Sequence, residues 1–436
     1  MKDGNIVKYY IYLATLVLAF TSAVACAETS EQQGEDYFEM SLKELMDVEV
    51  DSGTSLTKTT RRTAPSTVTT ITREEIARSG ARSMYELFDI YVPNFQSIAH
   101  SSKPRHMGLR GIISNRDDKF LLLVNGKVMN EKTDFGVQSE RDLPMLSDIH
   151  HIDVVRGPGS ALYGPGALSM VINVVTETAL TFQGFETINK LGSIEEFYSS
   201  EVKYGQKFSE DSGIYLYYGM AKYLGARMDD APIIPGGPWE TDDESIVGEQ
   251  FVGAGDEVTR PYQDYNSSFR DLGKFKAHGQ YTNGGLDIWA RFTSGGEYVD
   301  FIRTRKGDPW NREGEGYRQG TVNASYKHDF ADNFSIKTDF GVDSTEIETE
   351  NLVWKPKSYR ENEYHTKIQA NWDINKSHSV AFGGEWSHEQ FGRRHSNDQG
   401  GAYHYLMGDC KREAFDDCEE MPKWSTDMLS IFGEHQ

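Results

Sequence analysis

Residues 151–177 read HIDVVRGPGSALYGPGALSMVINVVTE, and the reading of this stretch decides the rest. Two runs rich in β-branched residues, HIDVVRG and MVINVVTE, favour strands. Between them Gly157, Gly159, Gly164 and Gly166 permit a tight, non-repetitive loop where side chains would clash. Tyr163 can bury its ring there while its hydroxyl bonds to backbone. A glycine-rich phosphate loop would need a Lys-Ser/Thr pair followed by a helix. Here a strand follows, so that reading fails.

Upstream, from Ser66, short elements alternate. Val68, Ile71 and the threonines around them predict a strand. Thr72 is placed to cap a helix, with Glu75 completing a capping box and Gly80 ending it. Ser83 caps a second helix, SMYELFDIY, closed by Pro93. MGLRGI reads as a strand. KFLLLVNGKVMN reads as two strands around the Asn125-Gly126 turn. Mixed short helices and strands over residues 66–178 predict a compact α+β domain.

After residue 178 helical periods vanish. Stretches such as IYLYYGMAKY, FSIKTDFGVDS and HTKIQANWDI alternate apolar and polar residues. LDIWARF puts Leu286, Ile288, Ala290 and Phe292 on one face, and Asp287, Trp289 and Arg291 on the other. One face suits lipid and the other water. Short connections fall near 210–213, 282–285, 331–333 and 375–378. Longer ones fall near 225–267, 297–316, 348–359 and 392–425. Strict alternation of short and long connections predicts a membrane barrel with short periplasmic turns and long external loops. About ten strands are expected over residues 179–436. The sequence stops inside one of them, and a bare edge in lipid is not viable, so a longer native chain is expected. A soluble or surface β protein that binds without transport, such as an adhesin, is the rival reading. An inactive truncated copy is a third.

Bulk properties fit either solvent. Mean hydropathy is -0.58, which a barrel with a polar lumen also gives. The formal net charge of -22 over 436 residues argues against nucleic-acid binding. Lys2, Lys8, the apolar stretch Ile11–Ala25 and the small residues around Cys26 predict a secretory signal, residues 1–27, cleaved after Ala27. Residues 28–65 read as a polar arm. In an oxidising compartment Cys410 and Cys418 are expected to form a local disulfide; a metal site is the rival. His150, His151, His395 and His404 suit barrel-rim positions better than haem or metal ligation, and no metal or cofactor is expected. The acidic runs 242–244 and 416–420 are expected to keep external loops solvated, or to bind divalent ions with lipopolysaccharide. No catalytic triad, metal-hydrolase spacing or nucleotide loop is present, so no enzyme activity is expected.

Residues 151–177 resemble the end of the plug domain of TonB-dependent outer-membrane receptors. Arg156-Gly157-Pro158, Ser160 to Gly164 and Val171 to Thr176 carry the likeness. Ser169-Met170 departs from the usual small pair. Arg110-Gly111, LLLVNGKVMN, TVTTITREEI and Val92-Pro93-Asn94 extend it upstream. The resemblance implies an α+β plug followed by an antiparallel transmembrane β-barrel of 22 strands, and a plug motif at Arg110, Arg156, Gly157, Tyr163, Gly164 and Asn173. It implies localisation in the bacterial outer membrane and energised uptake of a ferric siderophore or cobalamin-like compound. The implied partners are that small molecule, outer-membrane lipid and a TonB-type inner-membrane protein. That protein would pair with a TonB box at Asp47, Val48, Glu49, Val50, Asp51 and Ser52. Asp51-Ser52 departs from the usual Thr-Ala there, and an inert linker or first strand is the rival reading. Ligand contact falls on the turns Gln96–Pro104 and Glu131–Glu140, with His100, Lys103, Arg105, Asp134 and Phe135 favoured by chemistry. Arg105, Arg110 and Arg156 are expected to meet carboxylates of the barrel wall or of the plug itself. Wet ion pairs at the wall would hold the plug loosely.

Overall fold

The computed structural model describes residues 49–50, 59–60, 67–100, 103–113, 117–131, 136–141, 143–159, 166–192, 197–222, 263–264, 274–301, 311–351, 354–375, 378–393 and 424–435. The expected signal segment, most of the arm, both acidic runs, the Cys410–Cys418 pair, Tyr163 and Gly164 lie outside these residues.

Two short strands, β1 (Glu49–Val50) and β2 (Thr59–Thr60), pair with each other. The plug follows. Its elements are β3 (Thr67–Thr72), α1 (Arg73–Ser79), α2 (Met84–Tyr91), β4 (Phe95–His100), β5 (Lys103–Leu109), β6 (Phe120–Val124), β7 (Lys127–Val128), α3 (Gln138–Arg141), β8 (Ile149–Arg156) and β9 (Met170–Thr176). Five of these strands form a sheet in the order β3-β8-β9-β6-β7, and β4 and β5 form a hairpin.

Local signals act as the sequence predicts. Glu75 N donates to Thr72 Oγ1, and Thr72 N donates back to Glu75 Oε2, closing the capping box of α1. Gly80 takes the left-handed conformation (φ 67°) that ends the helix. Asn125 and Gly126 (φ 50° and 81°) make the primed turn between β6 and β7. Asn125 also reaches β9: its Nδ2 donates to Thr176 Oγ1, and Thr176 N donates to its Oδ1, each at 2.9 Å. The pairing of β6 with β9 is parallel, which no local pattern announces. Phe120, Leu122, Ile152, Val154, Ile172 and Val174 face α1 and α2 across one core with Leu87 and Phe88.

The second part is antiparallel throughout. It comprises β10 (Gly184–Gly192), β11 (Phe197–Ser209), β12 (Ser212–Lys222), β13 (Gln263–Asp264), β14 (Lys274–Asn283), β15 (Leu286–Phe301), β16 (Asn311–Ala331), β17 (Phe334–Asn351), β18 (Trp354–Asn375), β19 (His378–Arg393) and β20 (Trp424–His435). Each long strand pairs with the next, and β13 pairs with β15. Two residues join β11 to β12, β14 to β15, β16 to β17 and β18 to β19, where the short turns were expected.

The expected external loops at 297–316 and 348–359 are largely strand. β15 and β16 stay paired out to Phe301↔Asn311, and β17 and β18 out to Asn351↔Trp354. At 16 to 22 residues these strands far exceed the ~10 that span a bilayer. A strand with water on both faces needs no apolar face, so a Glu- and Asn-rich strand sequence reads as loop.

Outward residues are apolar and inward ones polar. On β15 Ile288 and Phe292 are exposed, whereas Trp289 and Arg291 are buried. On β18 Tyr364, Ile368 and Trp372 are exposed and His365 is buried. Tyr364 and Trp372 stand about 26 Å apart along the strand, the scale of an apolar band edged by aromatic girdles.

Candidate functional site: the contact between plug and barrel

One register row runs along the inward face of the whole sheet: Glu186↔Lys203↔Tyr217↔His278↔Arg291↔Thr321↔Asp343↔Glu363↔Glu389↔Thr426, from β10 to β20. The plug rests against this row. Strands β10 to β12 and β14 to β18 all touch it with their inward side chains. One compact domain can meet that many consecutive strands on one face only if the sheet curves around it.

The tightest contact is a buried quartet. Arg291 Nε and Nη2 donate to the two oxygens of Glu140 at 2.5 and 2.8 Å, and its Nη1 donates to Asp148 at 2.7 Å. Lys276 Nζ donates to the other Asp148 oxygen at 2.9 Å and lies 4.0 Å from Glu140. All four side chains are at most 1% exposed. Burial alone would raise the Asp148 carboxyl, but Lys276 and Arg291 overcome it and hold it well below the usual carboxylate range. Trp289, next inward on β15, packs into the plug core.

Three further contacts flank the quartet. Arg73 pairs with Glu177 at 3.0 Å and with Glu186 of β10 at 3.5 Å, and Lys203 pairs with Glu186 at 2.9 Å. Ser147 donates from both N and Oγ to Glu201, which also accepts from the Tyr217 hydroxyl. On the other side Lys127 of β7 meets Asp343 at 2.8 Å and Glu363 at 3.4 Å. Burial works against the Lys127 charge, but the two carboxylates outweigh it and raise its pKa above the ordinary lysine value.

This corrects the expected picture of the interface. Its central ion pairs are dry rather than wet, and in the quartet the barrel brings the cations and the plug the carboxylates. Among the described residues no carboxylate pairs with Arg110 or Arg156. Arg110 is exposed at φ 53° in the turn after β5, and its backbone N bonds Asn94 O. Arg156 ends β8, half-buried, and Gly157 N bonds Ser169 O. Asn173 Oδ1 accepts from Gly126 N, tying β9 to the hairpin turn. Arg105 offers no side chain among those described.

The other predicted residues stand as follows. His100 and Lys103 face each other in register at the tip of the β4–β5 hairpin, and Arg105 lies on β5. The side chains of all three, with Asp134 and Phe135 entirely, fall outside the described residues. Glu140, at the end of one expected ligand turn, is buried against Arg291 instead. Glu49 and Val50 form β1; Asp47, Val48, Asp51 and Ser52 lie outside the described residues. Lys127, Asp148 and Lys276 were not singled out in the sequence. Arg291 could have been found by asking what its inward-facing guanidinium meets.

Residues 60–171 match a family model described as TonB-dependent Receptor Plug Domain. The vitamin B12 transporter BtuB of Vibrio vulnificus is 32% identical over 119 residues, 27% of this chain and 18% of that protein. The probable TonB-dependent siderophore receptor PirA of Acinetobacter baumannii is 27% identical over 147 residues, 31% of this chain and 18% of that protein. Among solved structures, the siderophore receptor PirA from Acinetobacter baumannii superposes with a TM-score of 0.56 at 15% identity, covering 84% of this chain and 54% of that one. A mutant of the ferric enterobactin receptor PfeA from Pseudomonas aeruginosa gives 0.55 at 16%, covering 89% and 56%. At these identities the structural likeness speaks to fold, and the chain spans about half the length of the solved receptors it matches.

Proposed function

The chain carries the plug domain of TonB-dependent receptors seated on the inward face of an antiparallel barrel sheet, and from that premise we propose that it serves energised import of a scarce ligand across the bacterial outer membrane. The observation that carries this reading is the contact of the plug with every long strand from β10 to β18, apolar at β12, neutral at β16 and charged at the others. A domain lodged this way obstructs the bore, and passage requires moving it. The ligand is a ferric siderophore or a cobalamin-like compound, the classes named for the relatives above. It is met by the β4–β5 hairpin tip with His100, Lys103 and Arg105, and by the turn holding Asp134 and Phe135.

Force enters at residues 47–52. An extended, alternating segment can add as a strand to the sheet edge of an inner-membrane partner. Glu49 and Val50 pair with Thr60 and Thr59, and that pairing must open for the partner to dock. Delivery to the outer membrane uses the leader at residues 1–27, and Cys410 and Cys418 close an external loop. The receptor role needs no covalent chemistry.

The test is uptake of radiolabelled ferric siderophores and of cyanocobalamin by cells lacking the gene, under iron or cobalamin limitation. Uptake of one class is expected to fall and to return with the gene, but not with Val50→Pro, which blocks strand addition. Unchanged uptake of every ligand in the deletion strain would reject the import reading.

A further inference from the structure

The short turn after β18 starts β19 at His378, and β20 runs back beside β19 to His435 at the same end of the sheet. The two-residue period puts both histidines on the outward face. His378 shares it with Phe382 and Trp386, and His435 with Leu429 and Ile431, all of them exposed. His435 pairs in register with Val380, so His378 is its diagonal neighbour, within reach of a long side chain. His378 Nδ1 and His435 Nε2 stand 3.1 Å apart, with ring planes 10° apart and centroids 5.1 Å apart. Two ring nitrogens this close hold one proton or one metal ion between them, because two facing lone pairs repel.

We propose that His378 and His435 form a bidentate site for a divalent transition-metal ion of the zinc, nickel or copper group. Imidazole nitrogen suits these ions, whereas Ca²⁺ and Mg²⁺ take oxygen ligands. With bonds of ~2.0–2.1 Å, two nitrogens on one ion stand about 2.9 Å apart in a square-planar site and about 3.4 Å apart in a tetrahedral one. The 3.1 Å separation lies between those limits. Both rings stand on paired strands rather than on loops, which positions the donors before the ion arrives. Among the described residues no third His, Cys, Asp or Glu joins them, so water fills the remaining positions and the ion stays exchangeable. Bridging β19 and β20, the ion clips the end of that strand pair, where strands otherwise fray. The site faces away from the plug, so binding there does not depend on the import reading.

The probe is Cu²⁺, the most tightly held ion of the series. It is added to the chain purified in detergent without a histidine tag and with Cys410 and Cys418 replaced by serine. Electron paramagnetic resonance at one equivalent is expected to show two equatorial nitrogens. His378→Gln and His435→Gln should each leave one nitrogen and weaken binding at least ~tenfold in calorimetry, because the chelate is broken. His328→Gln, at an exposed histidine of β16, should change neither readout. Amide exchange near the end of β20 should slow with Cu²⁺ in wild type and in neither glutamine variant. Folding is checked by heat-modifiable migration, and the exchange readout in wild type tests the site even if a variant fails that check. A spectrum without two nitrogens, equal affinity in wild type and a folded glutamine variant, or β20 exchange indifferent to Cu²⁺ would overturn the site.

Discussion

Arg291→Met is the most informative single change. The side chain holds three of the four short hydrogen bonds in a site at most 1% exposed. Removing it leaves Glu140 and Asp148 buried with only Lys276 between them. Truncating one partner of a buried ion pair costs about 3–5 kcal/mol, most of it from the charge left behind. That is a rise of roughly a hundred- to several-thousand-fold in the opening equilibrium of the plug, readable as lost hydrogen-exchange protection of its amides in detergent. The quartet supplies its own control. Glu140→Gln added to Arg291→Met leaves Asp148 with Lys276 at 2.9 Å, a balanced pair. The double variant is therefore expected to recover ~1–3 kcal/mol relative to the sum of the singles. Additive losses, or an Arg291→Met plug as protected as wild type, would refute the view that charge balance across this contact holds the plug.

Other expectations follow from the same contacts. The Asp148 carboxyl titrates lower in the folded protein than its unfolded value, so its stabilisation is present above about pH 4 and fades as pH falls through the depressed folded pKa. Acid melts followed by near-ultraviolet circular dichroism should show a steep acid limb that Asp148→Asn flattens. Asn125→Ala removes two bridges to Thr176 and leaves alanine at φ 50°, which should lower plug stability by about 2 kcal/mol in the same exchange assay. Trp289→Ala empties a 1%-exposed site shared by barrel and plug and should cost about 3–5 kcal/mol. Ile368→Arg puts a charge midway between Tyr364 and Trp372 on the outward face and should cost about 2–4 kcal/mol of folding into bilayers, measured by reversible denaturant titration in vesicles.

Much of the architecture was legible because its causes are local. Thr72 with Glu75, Gly80, and Asn125-Gly126 each fix a terminus or turn within a few residues. LDIWARF separated Ile288 and Phe292 from Trp289 and Arg291 through the two-residue period alone. What stayed hidden depends on distant residues. The parallel β6–β9 pair joins Leu122 to Ile172, and Arg291 meets Glu140 across 151 positions. An acidic or basic residue carries the same sequence signature whether it ends in water or against a buried partner. So Glu140 read only as the end of an expected ligand turn, and Lys127 passed as one residue of a hairpin strand. The strand extensions near 301–311 and 351–354 escaped for the opposite reason: outside lipid, pairing persists without the alternation that reveals it.

A nitroxide scan along β18 from Glu363 to Asp373, in outer-membrane vesicles and with Cys410 and Cys418 replaced by serine, bears on the central claim most directly. Collision with oxygen should peak at Tyr364, Ile368 and Trp372, and dip at His365 and Lys367 on the plug side, with period two. Uniform water accessibility along the strand, or peaks at the inward positions, would contradict a lipid-facing barrel wrapped around the plug.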